Sequence, residues 1–450
     1  MPRPDPGPAR LLGEDFLAEA DRRLAETDAH LARAYPGGRG ERQPVHTVYV
    51  PADRYTVDLP ERWGAEATRL LEQHGGIDAL AALVGLPEDL AARVGPRVVD
   101  KLAAEPLEDL RLDLEDGYGR RPDAQEDADV VRAGRALAEA VATGRAPAFV
   151  GIRLKCFEAP TRRRGLRTLD LFVGTLLEAG GGADALPAGL RLTLPKVSTA
   201  SQVEVMVEAC AAIERAAGLP EGRLGFEIQV ETPPLVLGAD GRAEVAAALH
   251  AGAGRVTGLH YGTYDYSASL EVAAEHQSMA HPAADHAKQV MQTAAAETGV
   301  QLSDGSTNVL PVGPPDAVRH AWRLHHDLVR RSLERAYYQG WDLHPGQLPT
   351  RYLATFAFFA GGFDAAAARL RAYLGRTDTG VLDEPATARA LARYVDRGVG
   401  CGAVGEDELR VATGLDRATL SRLARPRSDT ESLRAPATPA TPTTPTKEHP

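Results

Sequence analysis

Carboxylates gather at three places in this sequence, each where a short apolar run gives way to polar residues. Asp113-Leu114-Glu115-Asp116 puts three acids within four residues, Glu231 opens Glu231-Thr232-Pro233, and Asp265 lies in Gly262-Thr263-Tyr264-Asp265-Tyr266. Cations follow other runs: Arg153 and Lys155 after one, Lys196 in Leu194-Pro195-Lys196 after another. Only five of the 51 basic residues are lysines, so two at run ends are less easily dismissed as scattered surface charge. Any one of these residues could simply cap a helix or pair with an arginine; the set points to a site. Glu231 and Asp265 would give a divalent cation two hard oxygen ligands. Its remaining positions would be left to water and an anionic substrate, as is usual for Mg2+. Arg153 would offer a planar fork to a carboxylate. A cation (Mg2+, or Mn2+ in its place) and an arginine around a 2-oxo acid suit the making or breaking of a carbon–carbon bond. The oxygen that takes up charge is then held by the ion.

The elements that must position these residues repeat along the chain. Apolar runs fall at Val45–Pro51, Leu110–Leu114, Ala148–Leu154, Leu190–Pro195, Gly225–Val230 and Val256–Tyr261, with weaker ones at Val300–Leu302 and Trp341–His344. Several read as nearly continuous in apolar character, the pattern of strands buried on both faces. Segments of helical period separate them, for example Ala124–Thr143 and Gln202–Ala217, the second with Ser201 as its expected N-cap. Alternation repeated about eight times predicts an α/β fold, a (β/α)8 TIM barrel rather than an open doubly wound sheet. No G-x-G-x-x-G or Walker sequence follows any run. In such a barrel chemistry sits at the C-terminal strand ends, where the acids and cations above fall.

Around a barrel at 45–350 the sequence places an N-terminal extension (1–44) with a helix over Gly13–Ala34, and an insertion at about 57–96 after the first strand. A helical C-terminal lid region follows at 351–425, then a Pro/Thr-rich tail (426–450) too poor in apolar residues to order itself. The 450 residues are 44% hydrophobic and 25% charged, enough for a sizeable core. A net charge of −11 argues against affinity for nucleic acid or anionic membranes through bulk positive charge. Three widely spaced cysteines, Cys156, Cys210 and Cys401, make neither a disulfide framework nor a paired-cysteine zinc site. With no apolar leader and no 18-residue uncharged apolar stretch, the expectation is a cytoplasmic enzyme with small-molecule partners, and a homo-oligomer is compatible with it.

The motifs VYVPADR, Lys101 with LRLDLEDGYG, GIRLK, LPKV, EIQVETP, YGTYDYSAS and DLHPGQ occur in the order and strand positions of the citrate lyase β-subunit-like superfamily. The chain resembles that superfamily over about residues 45–400. The group includes malyl-CoA and citramalyl-CoA lyases, related hydroxy-oxo-acid aldolases and, more distantly, malate synthases. The resemblance implies a metal-dependent carbon–carbon lyase acting on a 2-oxo acid such as glyoxylate and an acyl-CoA thioester, which is substrate rather than cofactor. It casts Glu231 and Asp265 as the Mg2+ ligands, Arg153 as the arginine on the oxo acid, and Glu115 and Asp116 as pocket acids. Lys196 becomes structural or polar lining, and Arg54 the first-strand arginine near CoA. Gly380–Pro385 is similar to the lid motif that carries the catalytic aspartate in acyl-CoA lyases, here Asp383; alternatively Asp383 N-caps a helix over 384–395. HPAADHAKQVM with Asp304-Gly305 is similar to the segment after the metal aspartate in malyl-CoA lyases. RRRGLRTLDLFVGTLL is similar to malate synthase, so a malate-synthase-like condensation and a CoA-independent aldolase stay open.

Arg162–Arg164 could neutralise CoA phosphates or form an exposed basic loop with equal weight. His320, His325, His326 and His344 do not share one helical face and read as ordinary residues, with His344 supporting the barrel floor or a substrate loop. Glu408–Leu423 has the spacing of a helix-turn-helix, the basis of a remote alternative in which the barrel is a sensor with a DNA-binding appendage.

Overall fold

The structure is a computed structural model describing residues 11–38, 40–375 and 384–425. Eight strands form: β1 His46–Pro51, β2 Asp109–Asp113, β3 Phe149–Arg153, β4 Leu190–Leu194, β5 Phe226–Val230, β6 Val256–Tyr261, β7 Gln301–Ser303 and β8 Gly340–Asp342. All run parallel, in the order β7-β6-β5-β4-β3-β2-β1-β8. Ser303 bridges to Gln339, and the Asp304 N–H donates to the Gln339 carbonyl at 2.8 Å, so β7 meets the approach to β8 and the ring closes. This is the expected TIM-type barrel. Each strand lies within about two residues of its expected run.

The strands are not apolar on both faces, however. Val48, Leu110, Leu112, Val150, Ile152, Leu192, Leu194 and Ile228 are fully buried at alternate positions. The residues between them are polar and meet inside the barrel. Arg111 of β2 pairs with its neighbour Asp109 and reaches Glu227 of β5 at 2.6 Å; His260 of β6 lies 3.1 Å from the same carboxylate. Trp341 Nε1 donates to His260 Nδ1 at 3.0 Å and Thr47 Oγ1 to Asp109 at 2.8 Å. Burial alone would raise the Glu227 carboxyl, but Arg111 and His260 hold it below the ordinary range. Period-two alternation, aliphatic toward the helices and polar toward the axis, is thus the actual pattern.

The N-terminal extension forms α1 (Glu14–Ala34), which buries no residue. The insertion is three helices, α2 (Leu59–Gln73), α3 (Gly76–Leu83) and α4 (Glu88–Ala104), and it runs past the expected end at Pro96, which α4 holds in its interior. The barrel helices follow: α5 (Asp123–Ala142), α6 (Arg162–Gly180), α7 (Ala200–Ala217), α8 (Pro233–Val236), α9 (Glu244–Ala251), α10 (Thr263–Ser269), α11 (Pro282–Ala295) and α12 (Pro315–Glu334). The N-cap of α7 is Thr199, not Ser201. Gln202 Oε1 accepts from the Ser198 and Thr199 N–H groups at 2.7 and 3.2 Å, a reach back that Ser201, inside the first turn, cannot provide.

The C-terminal region is α13 (Leu348–Gly375), α14 (Pro385–Gly400), α15 (Glu406–Thr413) and α16 (Arg417–Ala424). Pro345–Gly375 is long and apolar enough to cross a membrane, but it is largely buried as a core element against α4, α12 and α14. Phe363, Val395, Val399, Leu409 and Leu420 make a second, smaller core there, so the helix-turn-helix spacing of α15 and α16 reflects packing onto α13 and α14. Arg97 of α4 ties this layer to the insertion through Glu408 at 2.6 Å. The 426–450 tail lies outside the described residues.

Candidate active site

Asp113 ends β2 and organises the barrel mouth. Its carboxylate accepts from Arg153 Nε and Nη2 at 2.7 and 2.8 Å and from the backbone N–H groups of Glu115 and Gly117 at 3.0 and 2.8 Å. Burial would raise its pKa, yet Arg153 and these backbone donors hold it below the ordinary aspartate value. One side chain therefore fixes both the turn that carries Glu115 and Asp116 and the guanidinium on the next strand. A Cβ on Gly117 would lie 2.6 Å from Asp113 Oδ2, so the turn needs glycine there. Arg153 also stacks 4.7 Å from the Tyr49 ring, with Nη1 3.5 Å from Gln229 Oε1 and 3.9 Å from Asp116. The two-nitrogen edge expected for substrate is engaged by Asp113, which leaves the Nη1 side to a ligand.

Lys196 follows β4 with a φ of 50°, a left-handed backbone that turns its side chain across the mouth. Its Nζ lies 2.7 Å from Asp116, 3.4 Å from Glu115 and 3.6 Å from Asp265, and its backbone N–H donates to Glu231 Oε1 at 2.8 Å. Burial opposes its charge, but Glu231, Asp116 and Asp265 push its pKa above the ordinary lysine value. Glu231, just beyond β5, is 2% exposed. Burial first and Asp265 second push its carboxyl up to about 7, Lys196 and Arg153 notwithstanding. Asp265, in the first turn of α10, and Glu115 are both raised, each chiefly by burial. At Gly262 a Cβ would fall 2.3 Å from Glu231 Oε2, so β6 can pass over that carboxylate only as glycine.

The structure therefore brings Glu115, Asp116, Arg153, Lys196, Glu231 and Asp265 to one end of the barrel. Arg54 stands exposed in the turn Ala52–Arg54 that follows β1. Asp383 lies outside the described residues; α14 begins at Pro385, and its cap position falls on Glu384 rather than Asp383. Lys155 donates to the carbonyls of Leu114 and Gly119 at 2.7 and 3.1 Å, a strut under the acidic turn. Arg164 pairs with Glu126 and Asp127 at 3.1 and 2.6 Å, while Arg162 and Arg163 are exposed. Asp304 faces α11 and α12 instead of the mouth, at 2.9 Å from Lys288 and 2.6 Å from Ser332 Oγ. His325 is buried between Asp342 and Thr350, and His344 Nδ1 accepts from the Gly346 N–H at 3.0 Å to cap the turn after β8.

Among the described residues no group of three or more His, Cys, Asp or Glu side chains forms a complete metal cage. The donor chemistry at Glu231 and Asp265 nevertheless fits a divalent cation: two hard carboxylates, one of them driven toward neutrality by burial first and by the other's charge second. Sequence reasoning did not single out Asp113 as organiser, nor Tyr49 and Gln229, which hydrogen-bond at 3.3 Å beneath Arg153. The signal was the alternation itself, since Tyr49, Asp113, Arg153 and Gln229 are all axis-facing positions near strand ends.

The family model described as "Domain of unknown function (DUF6986)" matches residues 24–428. No curated protein matches the chain significantly. Among solved structures, a citrate lyase from Burkholderia xenovorans LB400 superposes with a TM-score of 0.53 at 16% identity, over 82% of this chain and 98% of that one. The Haloferax volcanii malate synthase with glyoxylate gives 0.46 at 14% identity over 85% and 99%. The citrate lyase β subunit from M. tuberculosis, complexed with oxaloacetate and magnesium, gives 0.39 at 18% over 70% and 98%. The first of these shares the fold, so the resemblance carried by the motifs extends to the architecture.

Proposed function

The chain belongs to the DUF6986 family, and we propose that it is a Mg2+- or Mn2+-dependent carbon–carbon lyase or aldolase. It would split or form a hydroxy acid from a 2-oxo acid and an acyl-CoA partner. The observation that carries this reading is the buried Glu231 carboxyl facing Asp265, its pKa pushed up to about 7, one residue layer from an arginine at the C-terminal end of a barrel. Lys196 and Arg153 offset only part of the cost of ionising this buried acid beside Asp265, and a divalent cation would offset the rest.

A divalent cation held by Glu231 and Asp265 would supply positive charge to the oxygen of the 2-oxo acid. Arg153, fixed by Asp113 and stacked on Tyr49, presents Nη1 to the substrate carboxylate from a rigid mount. Lys196 keeps its proton among Asp116, Glu115 and Asp265, so it acts as an ammonium that orients those acids and not as a Schiff-base nucleophile. Proton movement at the carbon acid falls to a carboxylate, with Asp383 the candidate that the lid motif supplies. Screening 2-oxo acids against acyl-CoA thioesters, with Mg2+ or with EDTA, and reading products by mass spectrometry tests the whole reading. Cation-dependent products with the CoA thioester retained support the lyase; free CoA release would mark a malate-synthase-like condensation, and turnover without CoA an aldolase. No product in any pairing overturns the proposal.

A further inference from the structure

The opposite end of the barrel is not closed. A cavity of about 270 Å3 lies between the strand starts and the C-terminal helices α14 and α16. Six of the described residues that line it are arginines against three carboxylates, in a chain whose net charge is −11. Arg397 of α14 is the informative one. It donates to Gln43 Oε1 at 2.6 Å and sits 4.2 Å from the centre of the Tyr338 ring. Among the described residues no carboxylate comes within ion-pairing distance of it. Elsewhere in this protein buried guanidinium groups meet a carboxylate: Arg111, Arg153, Arg255 and Arg351 each have one at 2.6–2.8 Å. Burial, with Arg425 and Arg393 nearby, pushes the Arg397 pKa below the ordinary arginine value. Across the cavity Arg191 donates to the Leu190 carbonyl, lies over the Phe149 ring and has only Glu41, 3.9 Å away, as a counter-charge. The other wall arginines have partners: Arg42 pairs with Glu105 and Glu108 at 2.9 and 2.8 Å, with only its Nε left without a hydrogen bond, Arg425 pairs with Asp396 at 2.6 Å and Arg417 with Glu406 at 3.5 Å.

Arg397 and Arg191 are half-buried, so each gives up part of its hydration without a close carboxylate in return, and a planar guanidinium is shaped for an oxyanion. We propose that this cavity binds a small, multiply charged oxyanion, phosphate- or carboxylate-bearing, held by Arg397 of α14 and Arg191 of the barrel floor. The ligand would neutralise Arg397 and Arg191 and fasten the C-terminal helical layer to the barrel. The site is separate from the mouth, since its walls include Arg191 and Thr257 at the starts of β4 and β6, whose strands lead at their other ends to Lys196 and Asp265.

The test is calorimetry and thermal melting of the full chain in low-salt, chloride-free buffer, with inorganic pyrophosphate in one arm and citrate in the other. At least one should bind and raise the melting temperature by about a few degrees at a hundredfold excess over Kd. The arm that binds more tightly identifies the head group as phosphate or carboxylate. Arg397→Gln should weaken binding about 10–100-fold, the scale of one charge-assisted hydrogen bond. Arg393→Gln, at an exposed position where folding is not at issue, should weaken it less. Glu231→Gln should leave binding unchanged. Neither anion binding the unmodified chain overturns the proposal, as does a Glu231→Gln variant that loses binding while both arginine variants keep it.

Discussion

Replacing Glu231 by glutamine should make the metal-free protein more stable at pH 8 and leave it nearly unchanged at pH 4.5. The folded-state carboxyl is pushed up to about 7 from an ordinary value of 4.5. For an acid raised in this way the folded state binds the proton more tightly than the unfolded chain, so stability rises as pH falls through 7 toward 4.5 and is lost on the way back up. A difference of about 2.5 units corresponds to roughly 3 kcal/mol at pH 8. Glutamine keeps the amide oxygen that accepts from the Lys196 N–H and removes the charge that burial and Asp265 oppose. Urea denaturation in EDTA at pH 4.5, 6 and 8 reads the effect directly. The variant should gain about 2–3 kcal/mol at pH 8 over the parent chain, and its pH dependence over this window should flatten. Added Mg2+ should stabilise the parent more than the variant, which keeps Asp265 as its one charged ligand of the pair. A variant equal to or less stable than the parent at pH 8 would refute the assignment of a strained, charge-starved carboxyl at this position.

Asp265→Ala should abolish Mg2+ binding by calorimetry with the fold retained, because the residue sits at a loop-facing helix start outside the core; unchanged affinity removes it from the site. Asp113→Asn should release both Arg153 and the 114–117 turn. About 10²-fold should be lost in kcat/KM and stability should fall by about 3–5 kcal/mol because Arg153 is left buried without its carboxylate, and an unaltered rate in the folded variant would show that Arg153 needs no such anchor. Borohydride should trap no substrate on Lys196, whose ammonium is held charged against burial by Glu231, Asp116 and Asp265; a covalent adduct would replace the metal reading with class I aldolase chemistry. Asp383→Asn should cost roughly 10²–10⁴ in kcat with KM little moved, whereas near-normal turnover assigns Asp383 no chemistry.

The strands were legible because their outward positions carry aliphatic residues at every second place, and the strand ends were legible because chemistry-bearing residues stop those runs. What escaped notice was the complementary set. Arg111, Glu227 and Gln229 look like interruptions in a hydrophobic run, and only the closed ring, which brings β2 opposite β5, shows them as one network. Asp113 was visible in the acidic triplet, yet its role depends on Arg153 standing one strand away in matching register, a tertiary fact. The end of the insertion was misplaced because Pro96 reads as a helix stop, while α4 continues through it to Ala104 under packing from α13. No local pattern could indicate that α14 and α16 would stand across a cavity from the strand starts.

The charged barrel interior also bears on how this chain can be divided. Barrels of this type are often imagined as two four-stranded halves, each a folding unit in its own right. Here a cut between β4 and β5 would leave Arg111 in one piece and its partner Glu227, together with His260, in the other. Asp109 would stay beside Arg111 and His260 beside Glu227, but the pair across the axis would be broken, and breaking a buried pair costs several kcal/mol. Folding is therefore tied to completion of the ring: the axis ions are satisfied together, once every strand is in register, and a partial barrel has little stability to rest on.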